Sequence, residues 1–178
     1  FKMDDPIQMY LPEFEDQRVL INPQSTNINQ TKDRLNDITI QHLITHTSGL
    51  GSRSSQLYRE NRVRDKNFTL DQVVSNAAQT PLFQDPGTEF RYGIHATILG
   101  KLIEVWSGRP LDVFLENELL SKLDMNSTMF WAGGRYRDRV ATVYRPTNGE
   151  LAPYQIETVP FTNRPQLIEG GVGLLSSV

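Results

Sequence analysis

Cysteine is absent from the 178 residues. That excludes disulfides, thiolate zinc sites, iron–sulfur clusters and a cysteine nucleophile together. It leaves the compartment open, since both bacterial cytoplasm and periplasm hold cysteine-free proteins. Basic charge is also short: 18 Lys and Arg stand against 21 Asp and Glu, for a formal charge of −3. With no basic excess to neutralise phosphates, nucleic acid is not an expected partner. No apolar run approaches the roughly 20 residues that cross a bilayer as a helix, so no membrane span is expected. The chain carries no G-x-G-x-x-G, no G-x-x-x-x-G-K-[ST] phosphate loop and no G-x-S-x-G nucleophile turn.

Hydrophobic residues make up 38% and charged residues 22%, which supports a packed core in one domain or a large piece of one. The chain opens Phe1-Lys2-Met3 and ends Gly173-Leu174-Leu175-Ser176-Ser177-Val178. Both ends read as those of a piece of something longer. Thr39 is placed to cap a helix whose apolar face is Ile40, Leu43 and Ile44, with Gly49 as its stop. Thr69-Leu70-Asp71-Gln72 has the form of a capping box before Leu70, Val73, Val74, Ala77 and Ala78. The strongest helical periodicity runs from Tyr92 to Trp106 and ends at Ser107-Gly108. Pro110 suits the first turn of the next helix, with Leu111, Phe114, Leu115 and Leu119 facing inward. Short strands are predicted at 19–21 and 139–145. Loops are predicted over 21–37, over the cation-rich 51–67 and over 147–169 with its prolines at 153, 160 and 165.

The chemistry-bearing residues are few. His42 and His46 lie four apart on one predicted helix, the spacing of a two-histidine metal site. The residue after His42 is Leu43 rather than Glu and no further ligand set stands out, so no metal is assigned. A Ser-x-x-Lys pair would let the lysine, one helical turn on, take the serine proton. The residues three before Lys32, Lys66, Lys101 and Lys122 are Asn29, Val63, Ile98 and Leu119, so these 178 residues hold no such pair.

Several segments, in order, resemble one family of serine hydrolases. It includes class C β-lactamases, D-alanyl-D-alanine carboxypeptidases and β-lactamase-like esterases. Ile38-Thr39-Ile40-Gln41-His42-Leu43-Ile44-Thr45-His46-Thr47-Ser48-Gly49-Leu50 resembles the family's I-T-I-x-x-L-L-T-H-T-S-G-L stretch almost letter for letter. Met3 to Ile7 with Tyr10 to Phe14 resembles the segment after its nucleophile helix. Pro86 to Tyr92, Leu99 to Glu104 and Ser107 to Leu111 resemble the stretch carrying its catalytic tyrosine. Leu123-Asp124-Met125 and Gly170 to Ser176 resemble later landmarks, and the stretch through Arg137-Asp138-Arg139 and Tyr144-Arg145-Pro146 is closer to the esterase branch.

The resemblance implies an α/β parent fold, an antiparallel sheet flanked by helices. This chain would be mainly the helical subdomain, a helix-rich α+β piece spanning 1–178. It implies hydrolysis of a small-molecule ester or amide through a serine acyl-enzyme, with no cofactor or metal. Of the family's three motifs, only the tyrosine has a match here, at Tyr92. The Ser-x-x-Lys helix and the Lys, His or Trp before x-Gly are expected in missing parent segments that complete the site, so the chain alone is expected to be inactive. The polar third residue of Tyr-x-[Asn/Ser] is replaced by Ile94, which marks the esterase branch or a weakened β-lactam site. Among the glycines of 170–173, Gly171 is the candidate for close approach to substrate, the alternative being a tight bend. His46, Ser48 and Gly49 are expected to be structural, a helix stop near the site. The other expectation for Tyr92 is a ring packed on Phe90 or the core. The other functional reading is a catalytically dead, penicillin-binding-like module.

Overall fold

The computed structural model describes residues 1–154 and 161–177. Five α-helices order them: α1 (Ile40–Ile44), α2 (Gln56–Glu60), α3 (Leu70–Gln79), α4 (His95–Ser107) and α5 (Leu111–Leu115). Two antiparallel hairpins accompany them, β1 (Val19–Leu20) with β2 (Thr31–Lys32) and β3 (Tyr144–Thr147) with β4 (Glu150–Pro153). Helix exceeds strand. No helix among the described residues is long and apolar enough to cross a membrane.

Local chemistry sets the helix ends. Thr69 Oγ1 accepts the Gln72 N–H while Gln72 Oε1 accepts the Thr69 N–H at 2.8 Å, the reciprocal bonds of a capping box. Behind that cap Val73, Val74 and Ala77 are fully buried. In α1 the partner of Thr39 is a histidine, whose Nδ1 accepts the Thr39 N–H at 3.2 Å while Thr39 Oγ1 accepts the His42 N–H. This helix stops earlier than Gly49. The Thr47 N–H reaches the His42 carbonyl at 2.8 Å and the His46 N–H reaches Leu43, which leaves His46 in the left-handed position at φ 57°. That is a Schellman closure with histidine where glycine is usual. Gly49, at φ 84°, belongs to the next turn.

The long helix starts at His95, so Tyr92 lies in the loop before it. Ile98 and Leu102 are fully buried in the core, and Gly108 at φ 66° closes the helix. Beyond α5 the chain widens into a π-type turn at Glu116–Leu120. The wider turn rotates the face that follows. Leu120 is buried, and Leu119, predicted to face inward, is 46% exposed.

Three more expectations are corrected. The cation-rich stretch 51–67 is not merely solvated, because Leu57, Tyr58 and Val63 are buried and α2 forms there. The strand predicted over 139–145 begins only at Tyr144, after a 3-10 segment at Gly134–Arg139. The loop predicted over 147–169 contains β4. Asn148 at φ 52° and Gly149 at φ 85° make the two-residue turn joining β3 to β4, with Thr147 opposite Glu150. Pro160 lies outside the described residues.

The core is continuous from Ile7, Phe14 and Leu20 through Leu43, Leu50 and Leu57 to Leu82, Ile98 and Leu102. Leu82 is tied to the first hairpin, accepting the Leu20 N–H and donating to the Arg18 carbonyl, both at 2.8 Å. That places residues 83–94 directly after a fixed point of the core.

Candidate active site

Residues 46–51 run beside residues 83–94, and the two backbones are bonded at four places. Phe83 donates to Gly49 at 2.9 Å, Gly87 to Thr47 at 2.8 Å, Arg91 to His46 at 2.8 Å and Ile94 to Gly51 at 3.1 Å. Phe83 and Ile94 are buried, where backbone amides need such partners, and the four bonds together fix both segments. Ser48 is fully buried between them, its Oγ accepting the Leu50 N–H at 3.3 Å. Gly93 sits where a Cβ would come within 2.6 Å of both the Leu50 and Gly51 carbonyl oxygens. No side chain fits there without moving backbone. Tyr92 lies immediately before this close approach, in the loop ahead of α4.

Tyr92 is 70% exposed. Its ring stacks on His46, with centroids 5.6 Å apart and planes 8° apart. Phe90, exposed as well, leans on the same imidazole at 5.7 Å and 43°. The ring under Tyr92 is therefore His46, not Phe90 or a core side chain. Arg91, the adjacent cation, is engaged elsewhere. Its Nε donates to Gln84 Oε1 at 3.0 Å and its guanidinium lies 4.8 Å from the centre of the Phe83 ring.

Below His46 lies His95, fully buried at the first position of α4, with ring centroids 4.4 Å apart. Both ring nitrogens of His95, and Nδ1 of His46, are buried without a hydrogen-bond partner. Burial, then the neighbouring His46, pushes the His95 pKa down to about 4. His95 is thus neutral at neutral pH. His42 does not join this group of rings, since its Nδ1 serves the α1 cap and its Nε2 faces Gly87. Among the described residues no group of three or more His, Cys, Asp or Glu is arranged to hold a metal ion.

Gly171 belongs to a neighbouring part of the surface. Gly170 and Gly171 lie on the first turns of α4, against Ala96, Thr97 and Gly100. They are held by Glu169, which is buried. Its Oε1 pairs with Arg64 Nε at 2.5 Å and its Oε2 accepts the Thr97 hydroxyl at 2.7 Å. The sequence reading did not single out His95, Gly93 or the Arg64–Glu169–Thr97 group. The glycine beside the tyrosine was a usable signal for close backbone approach. Nothing in sequence separates Arg64 from the exposed cations around it.

This chain is 28% identical to the acyltransferase mokF of Monascus pilosus over 131 residues, 72% of this chain and 32% of that protein. It is 28% identical to the esterase EstB of Burkholderia gladioli over 141 residues, again 72% of this chain and 32% of the relative. Among solved structures it superposes on EstCE1, a hydrolase with promiscuous acyltransferase activity, with a TM-score of 0.79 and 26% identity over 98% of this chain and 49% of that one. The chain therefore spans from a third to a half of the length of these relatives. The fold is the β-lactamase/transpeptidase-like fold of these neighbours. The family model described as Beta-lactamase matches residues 1–178, and the chain belongs to that serine β-lactamase-like family, which here includes esterase and acyltransferase relatives.

Proposed function

We propose that Tyr92 is the proton acceptor of a serine hydrolase acting on a small-molecule ester or amide. The observation that carries this is an accessible phenol seated on a backbone cradle fixed by four hydrogen bonds and a close-packed glycine. A free phenol titrates near ~10, too high for a base at neutral pH. Nearby cations favour the phenolate and lower that value. The Arg91 guanidinium, held at Gln84 and Phe83, is not placed to supply that charge. In this reading the lysine of a Ser-x-x-Lys helix supplies it, from a segment of the protein outside these 178 residues. Tyr92 accepts the proton of the serine hydroxyl as that oxygen attacks the substrate carbonyl. The proton then passes to the leaving group as the acyl–serine bond forms. Water then attacks the acyl carbonyl, giving up a proton to Tyr92 that returns to the serine oxygen as the acyl–serine bond breaks and the acid leaves. Gly171, on the neighbouring surface against Thr97 of α4, is assigned as the point of close approach to substrate, and residues 1–178 to a partial domain that does not turn over substrate alone.

A second reading is a penicillin-binding-like module that holds ligand without turnover. Ile94, buried where the resemblance expects a polar side chain, is the observation in its favour. The test is to incubate the full-length protein with p-nitrophenyl esters and weigh the quenched enzyme. The hydrolase reading predicts nitrophenolate release and an acyl mass on one serine. Saturable ester binding with neither release nor adduct supports the binding module instead.

A further inference from the structure

We infer that His46 is a positioning residue for Tyr92, its imidazole serving as the flat platform that sets the phenol in the reactive orientation. The inference rests on the reading of Tyr92 as proton acceptor, and adds to it a residue that fixes where the proton acceptor stands.

Three observations carry it. The first is the stack itself, two rings 8° from parallel, the lower one fixed through its backbone because the His46 carbonyl accepts the Arg91 N–H. The second is the backbone of His46. It occupies the left-handed position that ends α1, at φ 57°, where glycine or asparagine would sit with less strain. Closing the helix needs only that backbone shape, so the turn does not account for an imidazole. The third is a ring nitrogen the fold leaves unused. The Nδ1 of His46 is buried without a hydrogen bond, unlike that of His42, which completes a cap. The His46 ring has three aromatic neighbours: Tyr92 and Phe90 on the outer side, and His95 beneath. His95 starts α4 and is fully buried, so the pile of rings joins an exposed phenol to a rigid helix.

The physical reason for such a platform is the exposure of Tyr92. A largely solvent-exposed side chain changes rotamer on the picosecond-to-nanosecond scale unless something holds it. Proton transfer needs heavy atoms at hydrogen-bond distance, and a misplacement of about 1 Å lowers rate by up to about a hundredfold.

The test uses the full-length protein with p-nitrophenyl acetate as probe. His46→Asn keeps a residue that accepts the left-handed turn and removes the ring. His46→Phe returns a flat ring without the nitrogens. The expected result is a kcat lowered roughly 10- to 100-fold in H46N with KM unchanged, and a kcat for H46F within about threefold of wild type. Wild-type kcat in H46N overturns the inference, as does an equal loss in H46N and H46F. Tyr92→Phe is run alongside. If Y92F is inactive and H46N is not, only the positioning role fails; if Y92F is fully active, the reading of Tyr92 fails and takes the positioning role with it. A measurement that needs no His46 variant to fold is the NMR spectrum of ring-labelled tyrosine, with Y92F giving the assignment. Upfield-shifted Tyr92 ring protons support the stack in solution, and unshifted ones overturn it.

Discussion

Before Leu111 the chain buries a continuous set of large apolar side chains, Ile7, Phe14, Leu43, Leu57, Val73, Leu82, Ile98 and Leu102 among them. From Leu111 onward, among the described residues, only Leu111, Leu120, Phe130, Ala132 and Leu167 are buried hydrophobics, and the β3–β4 hairpin is exposed on nearly every residue. The two regions are held together differently. The first is closed by area removed from water, which is non-directional and collective. The second is tied back to it by the contacts of Glu169 with Arg64 and Thr97 and by Leu167, which joins the first region's core. Tyr92 stands on the first region and Gly171 on the second. A proton acceptor needs fixed geometry, and the densely packed half provides it.

The contrast is sharpest at its seam. Replacing Glu169 with Ala leaves the buried Arg64 guanidinium unpaired, and the expected loss is about 3–5 kcal/mol in urea unfolding. If the variant unfolds at the wild-type midpoint, the directional tie is not what holds the second region. Within the first region, Leu43→Ala empties a fully buried site and is expected to lose about 3 kcal/mol. Leu151→Ala in the exposed hairpin, at 71% exposure, should stay within about 0.5 kcal/mol. Equal losses from the two would erase the distinction.

Acid reports on the first region as well. His95 has its pKa depressed from 6.5 to about 4 by burial, so the unfolded chain binds a proton more readily between those values. Stability from this group is full above pH 6.5 and falls as pH drops toward 4, by about 3 kcal/mol at the limit. His95→Leu should remove that slope. It should also hold stability at pH 7 within about 1 kcal/mol, because neither ring nitrogen has a bond to lose. Urea midpoints across pH 4–7 for both proteins check this, and an unchanged slope in the variant contradicts it.

Much of this was legible before any coordinates. The caps at Thr39 and Thr69 and the apolar faces of α3 and α4 follow from short-range rules, since spacing and capping chemistry are local, whereas Tyr92 stands out only through the family resemblance. The errors have local causes too. A π-type turn shifted burial from Leu119 to Leu120, a change in turn width that no residue type announces. Asn148-Gly149 is a standard hairpin signal that the surrounding prolines and polar residues masked. The stack of His46 on Tyr92 and the buried Arg64–Glu169 pair depend on segments 46 and 105 residues apart, and tertiary packing of that kind leaves no periodic trace.

The central claim is that the exposed phenol of Tyr92 does chemistry rather than packing. The most direct measurement is ester turnover by full-length Tyr92→Phe beside its melting temperature. The account predicts a kcat reduced by about 10²–10⁴ with melting unchanged, since only a solvent-facing oxygen is removed. Turnover equal to wild type, or a loss that follows a drop in melting temperature, would contradict it.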